Sequence, residues 1–344
     1  MNPHLIGRTA NADLAASIMA TALPAPYIPG RELPHEAITT ANASLFVQAH
    51  YSEPLTIYAT GWSDPAAAGL DALCEFLAPT IAGTGERYEH ITFPNAEAFL
   101  SDVNGDDDLR AIGGDFKTVD ATSAKTSRTV PNRGLRMVLD WDRIKTMPNW
   151  QEFYTGMLIA RLKRNAARRK YALAIAAGTN VPLVWDAAGA ADPDYDLANQ
   201  AALSGDTTGI TPNSALWGLD AQLLRLQTYG GTNTAKAMAG RTITPVQAST
   251  MAGLRAIVDQ TRYQSGTSKT RVTGAKVILF TSAPTSTADP SNFKTAKANT
   301  AQGGLYAVYV RQLSVKQWEI VAECYETEFC ASPLGVRVLS ITAS

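Results

Sequence analysis

The stretch NWQEFYTGMLIARLKRNAARRKYALAIAAG, Asn149 to Gly178, constrains this chain more than any other. Pro148 ends whatever precedes it, Asn149 stands where an N-cap belongs, and Glu152 completes a capping-box spacing. Gly178 supplies a C-cap. At 1.5 Å per residue the helix is roughly 45 Å long, well beyond the average for a globular protein. Trp150, Phe153, Tyr154, Met157, Leu158 and Leu162 form an apolar stripe along it, and Arg161, Arg164 and Arg168 a cationic stripe beside it. Six of the chain's 30 basic residues lie here, and Glu152 is the only acid. The spacing predicts one packed side and one wet side.

That cationic excess is local. Over 344 residues the net charge is −1. Residues 1–110 hold four basic residues against fourteen acids, net −10, whereas residues 111–178 hold thirteen against five, net +8. Neighbouring segments of opposite sign can pair within one fold or between copies of it. With 45% hydrophobic and 18% charged residues the composition is that of a globular chain, long enough for one elongated domain or two subdomains.

Toward the N-terminus, Pro24, Pro26, Pro29 and Pro34 forbid regular helix and predict an extended arm. PAAAGLDALCEFLAP predicts a short amphipathic helix on Leu70, Leu73, Phe76 and Leu77, and NAEAFLSDV a second one. DFKTVDATSA and GLRMVLDWD alternate with period two around a polar Ser/Thr/Lys/Arg stretch, which reads as a hairpin with no core of its own. Beyond the long helix come a strand end, an acidic turn and a helix of about ten residues in VWDAAGAADPDYDLANQAALSGD. SALW begins a strand, followed by a helix carrying Leu219, Leu223, Leu224 and Leu226. Thr244 caps a further helix with Pro245 in its first position. RAIVDQTRY and AKVILFTSA are strands, and three or four more close the chain. The class is α+β.

Catalytic chemistry finds no constellation. His4, His35, His50 and His90 are scattered, with neither a zinc-type cluster nor HExxH. SDVNGDDD lacks the glycine and the closing bidentate glutamate at calcium-loop spacing and reads as an exposed acidic turn. Gly83 and Gly85 fall short of GxGxxG, YGGTNTAKAMAGRT reads as a flexible loop, and no GxSxG exists. Cys74, Cys324 and Cys330 predict reduced, packed cysteines in a cytosolic protein, Cys324 and Cys330 as core residues of one strand. No signal peptide and no run of about 20 apolar residues is visible. No enzyme, metal or cofactor is expected.

The order of arm, hairpin, long helix and strand-closed α+β remainder resembles the major capsid proteins of tailed double-stranded DNA phages, the Hong Kong 97-type fold. DDLRAIGGDFKTVD, NRGLRMVLDWDRI, MPNWQEFYTGMLIARLKRNAARR, DPSNFKTAK, GGLYAVYV and SPLGVRVLSI look like the corresponding stretches of one group of phage and prophage coat proteins, in order, over roughly residues 55–344. The resemblance implies an arm at 1–54, part of a peripheral domain at 55–110, and an extended loop within 111–145, running from Asp115 to Asp142. It further implies a spine helix with more of the peripheral domain at 146–199, an axial domain at 200–315, and returning strands at 316–344. In the loop, Asp115, Lys117, Lys125, Arg128, Arg133 and Arg136 are implied to meet neighbouring subunits. Arg161, Arg164 and Arg168 are left three readings: acids of the arm or a neighbouring subunit, packaged DNA, or solvent. Some relatives cross-link a lysine to a neighbour's asparagine; Lys117 and Lys125 are the loop lysines here, and neither asparagine nor catalytic acid is identified. The implied function is a self-assembling shell of hexamers and pentamers, found in the virion and assembled in host cytoplasm. Portal, scaffold, protease or decoration proteins and non-specifically held DNA are its implied partners, with no membrane. An encapsulin-type compartment shares the fold, and a non-assembling nucleic-acid-binding protein is the rival outside it.

Overall fold

A computed structural model describes residues 50–64, 69–92, 109–110, 112, 114–115, 124–186, 191–231, 235–283 and 291–343, all within the unit His50–Ser344. The proline-rich arm, NAEAFLSDV, the SDVNGDDD turn, His4, His35 and Lys117 lie outside the described residues.

The order begins with α1 (Glu53–Gly61), α2 (Leu70–Leu77), β1 (Thr80–Thr84), β2 (Arg87–Thr92), β3 (Ala124–Thr129), β4 (Asn132–Asp140), α3 (Trp141–Ile144) and the long helix α4 (Trp150–Ala177). Next are β5 (Thr179–Val184), α5 (Pro193–Thr208), β6 (Ser214–Gly218), α6 (Leu219–Gly230), α7 (Ala235–Thr242), α8 (Pro245–Met251) and β7 (Arg255–Asp259). The chain ends with β8 (Arg262–Ser265), β9 (Ser268–Arg271), β10 (Lys276–Phe280), β11 (Phe293–Ala298), β12 (Tyr306–Ser314), β13 (Gln317–Cys330) and β14 (Arg337–Thr342).

Helix α4 has the predicted bounds but not the predicted faces. Leu158, Ile159 and Leu162 pack with α1, β4, β12 and β13, while Ala167, Tyr171 and Ala174 pack with α2, β6, β10 and β14. One rod therefore crosses two cores. Phe153 and Met157, expected in the stripe, are 53% and 47% exposed. The buried side instead includes Thr155 and Gly156, and a Cβ on Gly156 would come to 3.0 Å from the Trp62 indole nitrogen. Asn149 occupies the N-cap position without a side-chain capping bond. Gly178 is extended, at φ −85°. A side chain is excluded there by space: a Cβ would meet Val338 Cγ2 at 2.6 Å and Val336 Cγ1 at 3.0 Å.

The first large sheet is built on β13. Its residues Gln317–Cys324 pair antiparallel with both β4 and β12, Tyr325–Cys330 pair with β11, and β1 joins β11 in parallel. The expected hairpin is corrected here. The GLRMVLDWD strand, β4, ladders with β13, because Leu139 and the partly buried Leu135 and Met137 feed the core under that strand. The described end of the first run, β3, pairs instead with β2 as a separate two-stranded ribbon. Residues 116–123 lie outside the described residues.

The second sheet runs β5-β14-β10-β6-β7. Its central strands are covered on both faces: Leu216, Ile278, Phe280 and Val338 point toward α2 and α4, while Ala215, Trp217, Val277, Leu279 and Leu339 pack with α5 and α6, and Trp217 Nε1 donates to Ser249 Oγ of α8 at 2.9 Å. Continuous apolar runs such as KVILF follow from that double cover. Helix α5 has 16 residues rather than about ten. The loop expected in YGGTNTAKAMAGRT is in part the helix α7, whose alanines are strong helix formers and whose Ala237 is buried. Thr244 caps α8 in a full capping box. Among the described residues no helix is long and apolar enough to cross a membrane.

Candidate functional site

The cations of α4 are mostly spoken for inside the chain. Lys163 Nζ donates to Asp71 Oδ2 at 2.8 Å and to the Trp62 carbonyl at 2.6 Å. Arg164 pairs with Asp64, whose side chain is 8% exposed. Arg169 Nε donates to both oxygens of Glu328, at 2.9 and 3.1 Å, and its Nη2 pairs with Glu326. Lys170 is buried and donates to the carbonyls of Cys74 and Ala78, at 3.1 and 3.2 Å, closing the last turn of α2. Burial pulls the Lys170 pKa down. Burial also opposes charge on Arg169, but Glu328 and Glu326 outweigh it and its pKa rises.

Asp64 and Asp71 belong to the acidic first third of the sequence, so part of the charge asymmetry is satisfied within one copy. Of the three residues read as a cationic face, Arg164 is paired as described. Arg168 lies over the Tyr263 ring at 4.2 Å, a cation–π contact. Arg161 is exposed, and its side chain has no hydrogen bond or ion pair among the described residues.

The loop residues divide between two places. Arg133 and Arg136 stand on β4, inside the first sheet: Arg133 Nε donates to the Glu326 carbonyl at 3.1 Å, and Arg136 Nη1 lies 3.4 Å from Glu319 Oε1. Glu319 is buried and also receives Arg311. Lys125 and Arg128 stand on β3, exposed, with Lys125 paired to Glu89 across the ribbon. Asp115 is exposed.

The β2–β3 ribbon is rooted by aromatics. Tyr88 and His90 lie on one side of β2 and meet Phe329 of β13, at centroid distances of 5.3 and 4.4 Å. Val130, just past β3, is buried in the same small core. Burial, then Arg128 and Lys294, holds the His90 pKa below the usual imidazole value. Sequence reading missed β2 as the ribbon's partner, although RYEHIT carries the period-two pattern that could have revealed it.

Cys74, Cys324 and Cys330 are free thiols. Burial pushes Cys324 up to about 12 and Cys330 up to about 11, so both are protonated at neutral pH. Among the described residues no group of three or more His, Cys, Asp or Glu side chains is arranged to hold a metal ion.

A mixed sheet on a spanning helix, a second sheet covered on both faces and an aromatic-rooted ribbon together make the Hong Kong 97-type capsid fold. The solved phage-related protein from Bordetella bronchiseptica is similar at TM-score 0.59 and 15% identity, covering 85% of this chain and 97% of that one. The cyanophage P-SCSP1u capsid aligns at TM-score 0.49 and 11% identity, covering 78% and 88% of the two chains. The SrpI encapsulin of Synechococcus elongatus aligns at 0.48 and 12%, covering 90% and 96%. No family model and no curated protein matches the sequence.

Proposed function

We propose that this chain is a major capsid protein, many copies of which assemble as hexamers and pentamers into an icosahedral shell around double-stranded DNA. Its role is structural rather than catalytic. The observation that carries this reading is the β2–β3 ribbon on a Hong Kong 97-type body. Beyond the root at Tyr88, His90 and Val130, the ribbon exposes Arg87, Glu89, Lys125, Ser127 and Arg128, and among the described residues its two strands pair only with each other. A ribbon of this kind is marginal alone and leaves unpaired backbone edges that a second copy can satisfy.

In this reading Lys125 and Arg128, with Asp115 and Lys117 nearby in sequence, reach a neighbouring subunit, and Arg161 is the spine-helix cation left for an outside partner. Closed symmetry multiplies modest contacts into a stable shell. Portal, scaffold, protease and decoration proteins are the further partners a DNA-filled shell of this type calls for.

Negative-stain microscopy of the full chain expressed alone tests the proposal, with closed shells of uniform diameter expected. A monodisperse monomer under every assembly condition overturns it. Nucleic acid inside shells recovered from the native source is expected, and protein cargo in its place would make the chain an encapsulin-type compartment.

A further inference from the structure

The β8–β9 hairpin is a second ribbon, and its strands pair only with each other among the described residues. Every residue from Gln264 to Thr270 is exposed. Tyr263 turns back onto the body, over Arg168 of α4. No acid occurs from Gln260 to Ala283, a span holding Arg262, Lys269, Arg271 and Lys276. The antiparallel register sets Arg262 directly opposite Arg271 and Gln264 opposite Lys269, all four on the face away from Tyr263.

Like charges directly opposed on a ribbon destabilise it. Arg271 is relieved by Asp220 of α6, and Lys269 bonds Gln264. The Arg262 side chain has no ion pair or hydrogen bond among the described residues. The nearest acid in sequence, Asp259, is buried and engaged by the Thr261 amide at 2.8 Å and by the Thr273 hydroxyl. The result is an exposed pair of cations, Arg262 and Lys269, without an acid partner among the described residues and flanked by serine and threonine hydroxyls. Such a pair suits oxygens of regularly spaced phosphates and offers no fixed array for reading bases.

We propose that the outer face of β8–β9 contacts the backbone phosphates of enclosed double-stranded DNA, through Arg262 and Lys269, without regard to sequence. The choice of DNA as the anion rests on the shell reading above. The phosphate-binding face itself does not, because it can be measured on unassembled protein.

The test uses full-length protein at concentrations where sedimentation finds no shells, titrated into two unrelated 30-base-pair duplexes from 50 to 200 mM salt. Equal affinity for both duplexes is expected. In R262Q/K269Q the slope of log K against log salt is expected to shrink by about 2, near 0.9 per lost phosphate contact. R143Q/K145Q, which removes the same charge from exposed positions of α3 and its C-cap, is expected to leave the slope unchanged. An unchanged slope in R262Q/K269Q overturns the proposal, as does an equal loss in both variants. So does lost shell assembly with DNA binding intact, which would make the ribbon a contact between copies. Shell formation by each variant is scored separately by microscopy, so failure of the shell reading is seen independently.

Discussion

Arg169 of the long helix grips Glu328 of the long strand through its Nε at 2.9 and 3.1 Å from the two carboxylate oxygens, and the same guanidinium pairs with Glu326. Both glutamate side chains are only 5% exposed. Removing the arginine leaves two carboxylates buried with Lys297 and Arg133 as distant compensation, at 3.8 and 3.9 Å. Arg169→Ala is therefore expected to cost about 3–5 kcal/mol of stability. Urea unfolding of unassembled protein measures this, and a loss below about 1 kcal/mol would mean that the pair is not structural.

Where α4 ends, Gly178 is needed for space. Gly178→Ala would put a methyl 2.6 Å from Val338 Cγ2, and Val338 is buried on a central strand. The backbone there, φ −85°, suits any residue, so the expected cost of about 1–3 kcal/mol is overpacking alone. Val338→Ala in the same chain should relieve it, giving a double-mutant coupling of at least about 0.5 kcal/mol. Additive losses would place the strain elsewhere.

His90 makes the root of the β2–β3 ribbon sensitive to acid. Its pKa is lowered by burial, with Arg128 and Lys294 adding to the effect. The unfolded chain therefore binds this proton more readily than the folded one. The contribution is intact above the ordinary imidazole value near 6.5 and is lost as pH falls below it. Amide exchange in β2 and β3, corrected for intrinsic rates, should lose protection between pH 7 and 5, while β10 does not. His90→Phe, which keeps a ring against Phe329, should remove that pH dependence. Its persistence in the variant would assign the effect to another group.

The thiols of β13, Cys324 buried and Cys330 half-buried, have the opposite sense. Cys324 and Cys330, pushed up to about 12 and about 11, keep their protons when the unfolded chain, with thiols near 9, begins to lose them. Their contribution is complete below pH 9 and declines above it. At pH 8, iodoacetamide should label neither residue in folded protein within the time that labels both in urea. Mass spectrometry reads the outcome, and rapid labelling of folded protein would show open access to the strand.

Much of the architecture was legible because it depends on periodicity and stop signals. KVILF, the cap at Thr244 and the 28-residue helix all announce themselves. What escaped was pairing at long range. GLRMVLDWD alternates whichever strand it joins, and only the core formed by Leu135, Met137 and Leu139 under β13 decides the matter. The helix cations looked unpaired because their partners lie about 90 to 160 residues away in sequence, at Asp64, Asp71, Glu326 and Glu328. Of the β8–β9 ribbon only Arg262 and Tyr263 fell within an expected strand, RAIVDQTRY, because a short, exposed, polar hairpin carries no apolar alternation to mark it.

Helix α6 shows the sharpest inversion of expectation. Its leucines suggest a buried stripe, yet Leu223 and Leu226 are 48% and 38% exposed while Arg225 is wholly buried. Arg225 donates to both carboxylate oxygens of Asp194 on α5, at 2.7 and 2.9 Å, and to the Ile243 carbonyl at 2.9 Å. Its guanidinium lies 5.0 Å from the Tyr229 ring centroid. One planar fork thus joins α6, α5 and the entrance to α8, which a lysine's single ammonium cannot reproduce. Arg225→Lys is expected to lose most of what Arg225→Ala loses, about 3–5 kcal/mol, whereas Leu223→Ala should stay within about 0.5 kcal/mol. Thermal and urea unfolding of the three variants decide it. A Leu223→Ala loss as large as that of Arg225→Ala would mean that α6 faces its neighbours by its leucines after all.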